Sequence, residues 1–447
     1  MGDSAFIHSA EMQVQKLNKK VIKPSSPTPP HLQNYKLSFF DQLAPRAHVP
    51  LVYFYHIDDD SENTTKFGQL QISLSKNLNH FYPLAGRFSE DGLSVNCQDQ
   101  GILYVEAEVN RRLDQFLKEA NENIDLVSKF VPWDIGETCH VTTPIIGVQI
   151  TTFECGGLAL AVHNTHTLSD GFTGTKFTDE WAKISRSDYH VDEQMSLNFN
   201  LASIFPARDD ISQFLKPFPP IKPGPKVVTK MFMFNEAAIL GLKDKVRANL
   251  AGTKFHPSRV EVVTALIWRG MIRASQARHG RLRPSITSLA VNLRGKNGLG
   301  AADNSFGNLY IQVPIKFSAD KVLKELHDFV QLLRGTIQKT LADCGNASSA
   351  DEIFSVAVNF HNEIREGVGD DEVDVRICTS LCRFPIYDAD FGWGKPVWVS
   401  STNAPFEIFS LMDTKCGTGV EARVNLNEID MPIFETDPDI VAFSVSS

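Results

Sequence analysis

Two short segments carry residue types that can do chemistry. The first, His166-Thr167-Leu168-Ser169-Asp170-Gly171, sets a histidine where the chain leaves an apolar run, with a carboxylate shortly after it. A neutral imidazole takes up a proton near pH 7, so a histidine presented to a cleft at a strand end can act as a general base. The second is Asp390-Phe391-Gly392-Trp393-Gly394-Lys395-Pro396. Its glycines permit a tight backbone path, and Trp393 offers an indole N–H as a donor. A third group, Lys254, Ser258 and Arg259, stands near the start of a predicted helix, where charge and helix N-terminal N–H groups can bind phosphate. Each group has an ordinary structural reading beside the chemical one: a satisfied histidine in a turn, a glycine turn packed by aromatics, a solvated basic patch.

Rival chemistries lack their residues. His163, His166 and Asp170 could be imagined as metal ligands, but on a strand His163 and His166 point to opposite faces, and no HExxH helix is present. No G-x-S-x-G elbow occurs, and the seven cysteines are scattered without a CxxC pair or an evident activating neighbour. Neither a disulfide framework nor a zinc ribbon follows from that pattern, and a reducing compartment fits it.

The elements that must hold these groups can be read from periodicity. Leu51 to His56 reads as a buried strand and Phe67 to Leu78 as a helix. Residues 143–153 and 157–166 read as paired strands around Gly156-Gly157, with Leu158, Leu160, Val162, Asn164 and His166 on one face. Asp170 stands at the N-cap of a following helix whose Phe177, Trp181 and Ile184 recur at helical spacing. His166 therefore ends a strand just before a helix. Pro24 to Pro30 reads as an extended lead-in, with the folded body starting near Tyr35. The stretch 205–226, crowded with Pro206, Pro217, Pro219, Pro220, Pro223 and Pro225, is the linker candidate. Beyond it, Asn235 to Leu250 and Ser258 to Gln276 read as helices and Ile286 to Leu293 as a strand, which makes a second mixed α/β domain.

A chain of 447 residues with 42% hydrophobic and 22% charged residues is globular and long enough for two cores. Its formal net charge of −9, from 44 Lys plus Arg and 53 Asp plus Glu, argues against broad attraction to nucleic acid or anionic membrane. Neither a signal-peptide pattern nor a membrane-length apolar run is present, so the expectation is a cytoplasmic monomer whose partners are small molecules.

The two chemical segments, in this order and separation, resemble the hallmark HxxxD(G) and DFGWG motifs of the plant BAHD acyl-CoA-dependent acyltransferases. Similarity extends along the chain through Tyr35-Lys36-Leu37-Ser38 with Asp41, Phe81 to Arg87, Thr264 to Trp268, Val291-Asn292-Leu293-Arg294, Phe306-Gly307-Asn308 and Leu411-Met412-Asp413. The N-terminal proline run and Cys382-Arg383 look closest to the vinorine-synthase-like branch of alkaloid and terpenoid acetyltransferases, although Leu381 stands where that branch often has Trp. The resemblance implies an α/β (α+β) fold of two chloramphenicol-acetyltransferase-like domains, here 1–204 and 227–447, joined by the crossover at 205–226. It implies acyl-CoA as co-substrate, by family position acetyl-CoA, with no prosthetic group and no metal. It also implies that Asp170 turns from His166 to pair with Arg294, that Trp393 donates in the oxyanion or thioester region, and that Asp390, Gly392 and Gly394 are structural. The family places its coenzyme phosphates near Lys254, Ser258 and Arg259, and the matching segments supply Ser38 and Arg383 as candidates for substrate contact. The expected reaction is direct transfer to the hydroxyl of a plant specialised metabolite with His166 as base. An amine acceptor, or a non-catalytic small-molecule-binding relative, is the alternative.

Overall fold

The computed structural model describes residues 11–57, 63–133, 141–186, 196–219, 224–250, 255–296, 298–319 and 325–446. Strands of the first half are β1 (Val14–Ile22), β2 (Asn34–Lys36), β3 (His48–Tyr55), β4 (Arg87–Phe88), β5 (Ser94–Asn96), β6 (Ile102–Val109), β7 (Ile146–Phe153) and β8 (Leu158–Thr165). The second half adds β9 (Val227–Phe234), β10 (Ser285–Asn292), β11 (Tyr310–Phe317), β12 (Asp374–Ser380), β13 (Trp398–Ser400), β14 (Ile408–Asp413), β15 (Val420–Asn427) and β16 (Val445–Ser446). One mixed sheet runs β1-β6-β7-β8-β3-β13, a second runs β11-β10-β12-β14-β15-β9-β16, and a small third is β2-β5-β4.

The first sheet is buried on both faces. Leu158, Leu160 and Val162 of β8 pack with helices α2 (Asn63–His80) and α4 (Gly171–Ser185), which follow the short α1 (Phe39–Leu43) and the α3 described next. Ala159 and Ala161 face the other way, onto Leu113, Phe116 and Ala120 of α3 (Leu113–Glu122). Small residues on that side leave room for the ring cluster of Phe54, Phe116, Phe130 and Phe153. In the second half, α6 (Glu236–Ala248), α7 (Arg259–His279), α8 (Leu326–Gly345) and α9 (Ala350–Gly369) cover one face of the second sheet with a single apolar core. Between the halves comes α5 (Leu201–Ile204), after which Arg208 and Lys216 of the proline-rich stretch contact α9. There the Arg208 guanidinium stands 4.8 Å from the Phe354 ring centroid, and the Lys216 N–H donates to Asn362 Oδ1 at 2.7 Å.

Two features depart from the sequence reading. The folded body begins before Tyr35, because β1 pairs along its length with β6. Its residues are mostly exposed and include Lys16, Lys19 and Lys20, the composition of a protected sheet edge and not of an alternating half-buried strand. The two halves also share strands: β13, although it follows the Trp393 segment, pairs antiparallel with β3 in the first sheet. A partition of the chain at residue 226 therefore misplaces β13.

A buried polar face of β15 holds that crossing strand. Val420, Ala422, Val424 and Leu426 enter the core, while Glu421, Arg423, Asn425 and Asn427 are buried on the opposite face. Arg423 donates to Ser400 Oγ at 3.0 Å and to Asn403 Oδ1 at 2.5 Å, and Asn425 Nδ2 to the Ala404 carbonyl at 3.2 Å. Glu421 lies in the same row, and burial raises its carboxyl from 4.5 to about 7, with Tyr387 as its hydrogen-bonding neighbour. Between those two pH values the folded chain holds this proton more tightly than the unfolded chain, so the contribution to stability falls as pH rises. Glu421→Gln removes that slope. Its melting temperature should match the parent near pH 4.5 and exceed it at pH 8, by an equivalent of up to roughly 3 kcal/mol. Thermal-shift curves across pH measure this, and equal curves at pH 8 would refute it.

Candidate active site

β8 ends at Thr165, and the His166 N–H donates to the Ala47 carbonyl at 2.7 Å, which turns the chain out of the sheet. Asp170 then caps α4, its Oδ1 accepting from the Thr173 N–H at 2.9 Å. The other carboxylate oxygen faces the second half of the molecule. It accepts from Arg294 Nη1 at 2.6 Å and from the Leu309 N–H at 3.0 Å. Arg294 is itself committed elsewhere, with Nε on the Ser305 carbonyl at 3.0 Å, Nη2 on the Gly307 carbonyl at 2.8 Å, and its face 4.3 Å from the Phe172 ring centroid. Asp170 thus turns toward Arg294 and helix α4.

His166 is half-buried beside this pair. Burial is the largest influence on it and lowers its pKa, so the ring is neutral at pH 7. The Tyr310 ring lies 5.6 Å away, centroid to centroid. Hydrogen bonding to its own backbone, the Asp170 carboxylate and the Asn308 side chain raise the pKa by less, and the Nδ1 atom and Asn308 Oδ1 are each buried. Asn308 Nδ2 points away, to the carbonyls of His166 at 2.9 Å and Thr167 at 3.0 Å and to Asp41 Oδ1 at 3.0 Å. With a proton on the buried Nδ1 atom, Nε2 is the bare, basic nitrogen.

Residues 12–441 match the model of the Transferase family. The chain belongs to the BAHD acyltransferase family. It is 33% identical to acetyl-CoA-benzylalcohol acetyltransferase of Clarkia breweri over 97% of this chain and all of that protein. Identity to salutaridinol 7-O-acetyltransferase of Papaver somniferum is 31%, over 96% of this chain and 98% of that one. The crystal structure of vinorine synthase superposes with a TM-score of 0.79 at 31% identity, covering 96% of this chain and 98% of that chain. The protein is accordingly an acyl-CoA-dependent BAHD O-acyltransferase.

The remaining sequence candidates fall in different places of this BAHD chain. Asp390 Oδ1 accepts from the N–H groups of Gly392 at 2.8 Å and Gly394 at 2.9 Å, folding the loop back on itself. Both glycines sit at φ near +100°, in the range that favours glycine. Trp393 stacks on Phe391 and stands edge-on to Tyr55 with centroids 6.1 Å apart. Tyr55 pairs with Leu158 at the far end of β8 from Thr165. At about 3.3 Å per residue those ends are about 23 Å apart, so the indole does not reach the imidazole and the oxyanion role expected for Trp393 is withdrawn.

Ser38 is a helix cap and not a pocket residue. It is fully buried, and its hydroxyl donates to Asp41 Oδ2 at 2.7 Å within a capping box. Ser258 likewise caps α7, accepting from the Glu261 N–H at 3.2 Å, and Arg259 pairs with Asp413 at 2.8 Å. Lys254 lies outside the described residues. Arg383 is exposed at φ 73°, its N–H on Asp413 Oδ2 at 2.8 Å, so Asp413 links Arg383 to Arg259 at the C-terminal end of β14. His163 packs with His48 and Trp133 and is held neutral by burial, its pKa lowered to about 3. Among the described residues no group of three or more His, Cys, Asp or Glu could hold a metal ion.

Asn308, Asp41, Gly307 and Tyr310 were not singled out by sequence as site residues. The available signal was Phe306-Gly307-Asn308, where a glycine and a short amide stand between buried apolar residues. Removing one partner of the Asp170–Arg294 pair leaves a buried charge unpaired, at a cost of about 3–5 kcal/mol. Asp170→Asn should therefore lose heat resistance and soluble yield together with activity. An equally stable but inactive variant, by melting curve and circular dichroism, would assign Asp170 to the chemistry instead.

Proposed function

We propose that His166 is the general base of a direct transfer in which acyl-CoA and an alcohol are bound together. Nε2 removes the hydroxyl proton as the oxygen attacks the thioester carbonyl. The tetrahedral intermediate then collapses, the carbon–sulfur bond breaks, and the proton passes to the departing thiolate. The observation that carries this reading is a half-buried, neutral imidazole at the strand-to-helix turn, with the nearby Asp170 carboxylate turned to Arg294. The donor is acetyl-CoA and the acceptor a hydroxyl on a polycyclic alkaloid or terpenoid, a reading supported by relatives named as acetyltransferases of salutaridinol and limonoids. The setting is a monomer in the cytosol, with 1–204 and 227–447 as the two domains apart from the exchanged β13.

His166→Ala should reduce kcat by roughly 10²–10⁴-fold while coenzyme A binding, measured by calorimetry, survives. With the parent protein, initial rates should give intersecting double-reciprocal lines, and acetyl-CoA alone should leave the protein mass unchanged. Near-parental kcat in His166→Ala, or an acetylated protein chased by the alcohol, would refute direct base catalysis. The pH profile of kcat/KM should be flat through neutrality and fall only in acid, below the ordinary histidine value of 6.5, since burial lowers the pKa of His166. Assays across acyl-CoAs and a panel of alkaloid and terpenoid alcohols and amines identify the substrates.

The coenzyme's phosphates are assigned to the N-terminus of α7, where Ser258 and Arg259 lie and Lys254 precedes them in sequence. Arg259 is the residue to test, because its side chain is about one-fifth exposed beside Asp413. Arg259→Ala should raise KM for acyl-CoA roughly tenfold, the scale of one charge-assisted contact, with kcat near the parent. An unchanged KM would place the phosphates elsewhere.

A further inference from the structure

Among the described residues only Asp99 and Arg383 combine a side chain with a positive φ. Aspartate tolerates the left-handed region, whereas a long side chain enters it at a cost. Arg383 stands at φ 73° as the third residue of a turn that closes where the Phe384 N–H donates to the Leu381 carbonyl at 3.2 Å. A positive φ at that place of a turn ordinarily takes glycine or asparagine. Such a conformation persists only where its surroundings hold it.

Two holds come from β14. The Leu381 N–H donates to the Leu411 carbonyl at 2.7 Å, and the Arg383 N–H donates to Asp413 Oδ2 at 2.8 Å, two residues further along the same strand. On its other side the turn meets Gly171, the first residue of α4. The approach is so close that a Cβ on Gly171 would stand 2.8 Å from Leu381 Cδ2 and 3.1 Å from Phe384 Cε2. The first and last residues of the turn are thus seated on the residue that follows Asp170, in the segment that carries His166. Asp413 also pairs with Arg259 at 2.8 Å, and Arg259 Nη1 donates to the Gly417 carbonyl in the loop between β14 and β15. One carboxylate therefore meets both the turn and the residue to which the coenzyme's phosphates are assigned.

We infer that Asp413 is a positioning residue for the reaction: it holds Arg383 in the left-handed conformation and thereby keeps Leu381 and Phe384 seated against Gly171, at the head of the helix that follows the base. Asp413 acts through the turn and not on the reacting atoms. An arginine at this place makes the seat conditional on the carboxylate, whereas a glycine would adopt the conformation unaided. For its consequence in turnover the inference rests on the reading of His166 as base, but not for its effect on the turn.

The test is Asp413→Ala in the full chain, read by hydrogen–deuterium exchange with mass spectrometry and by steady-state kinetics. The peptide covering 381–384 should exchange faster than in the parent, and kcat should fall about 10- to 100-fold, the scale of a misplaced catalytic group. KM for acyl-CoA should not rise. In the Asp413→Ala background, Arg383→Gly should restore slow exchange and most of kcat, while Arg383→Ala should restore neither. Both lack the guanidinium, so any contact it makes with substrate is lost from both, and the difference reports the backbone alone. Unchanged exchange in Asp413→Ala, or equal behaviour of glycine and alanine at 383, would overturn the inference. A loss carried by KM with parental kcat would make Asp413 a coenzyme contact and overturn it as well. Faster exchange with parental kcat and KM would remove the positioning role, while the base reading stands or falls separately with His166→Ala. Should Asp413→Ala fail to fold, Arg383→Gly in the otherwise parental chain must melt at a higher temperature than Arg383→Ala, and equal melting counts against the inference.

Discussion

Between the two halves of the molecule a carboxylate and a guanidinium meet at 2.6 Å, with side chains 7% and 4% exposed. Such a pair gains little over apolar packing unless its remaining hydrogen-bonding capacity is filled. Here it is filled in a way that joins separate segments. Asp170 caps α4 with one oxygen and binds Arg294 and the Leu309 N–H with the other, while Arg294 reaches back to the Ser305 and Gly307 carbonyls. The turn carrying His166, the helix behind it and the loop carrying Asn308 are therefore one hydrogen-bonded unit.

A second seam lies on the other side of the second sheet, where β15 is buried on both faces. Its polar residues would be costly in an ordinary core, yet Arg423 and Asn425 find their acceptors in the Ser400–Ala404 segment. That segment begins in β13, which is zipped to β3. Trp398 stacks on Phe54 at 5.1 Å, and the Trp393 loop packs on Tyr55. The conspicuous aromatic motif thus locks the two halves together, and it does so at the end of β3 remote from the base.

This explains what was legible in the sequence. Buried strands and amphipathic helices announce themselves by period, so β3, β7, β8, β10, α2, α4, α6 and α7 could be read from the chain, as could the Asp170 cap. Motif chemistry was less readable. Trp393 has the right functional group for an oxyanion donor, but only strand register reveals its distance from His166. Ser38 looks like a substrate contact until its capping box with Asp41 is seen. Asn308 was legible only as part of Phe306-Gly307-Asn308, because the meaning of a buried amide lies in three acceptors contributed by residues far from it in sequence.

The orientation of Asp170 bears on the base as much as on the fold. A carboxylate held against an imidazole favours the imidazolium and would keep the ring protonated, as it does when a charged partner sets a histidine. By turning to Arg294 the carboxylate is paired, and its remaining pull on the ring is smaller than the effect of burial, which lowers the affinity of His166 for a proton. The arrangement gives the carboxylate to the fold, as helix cap and ion-pair partner, and leaves a base that is still neutral when the substrate arrives.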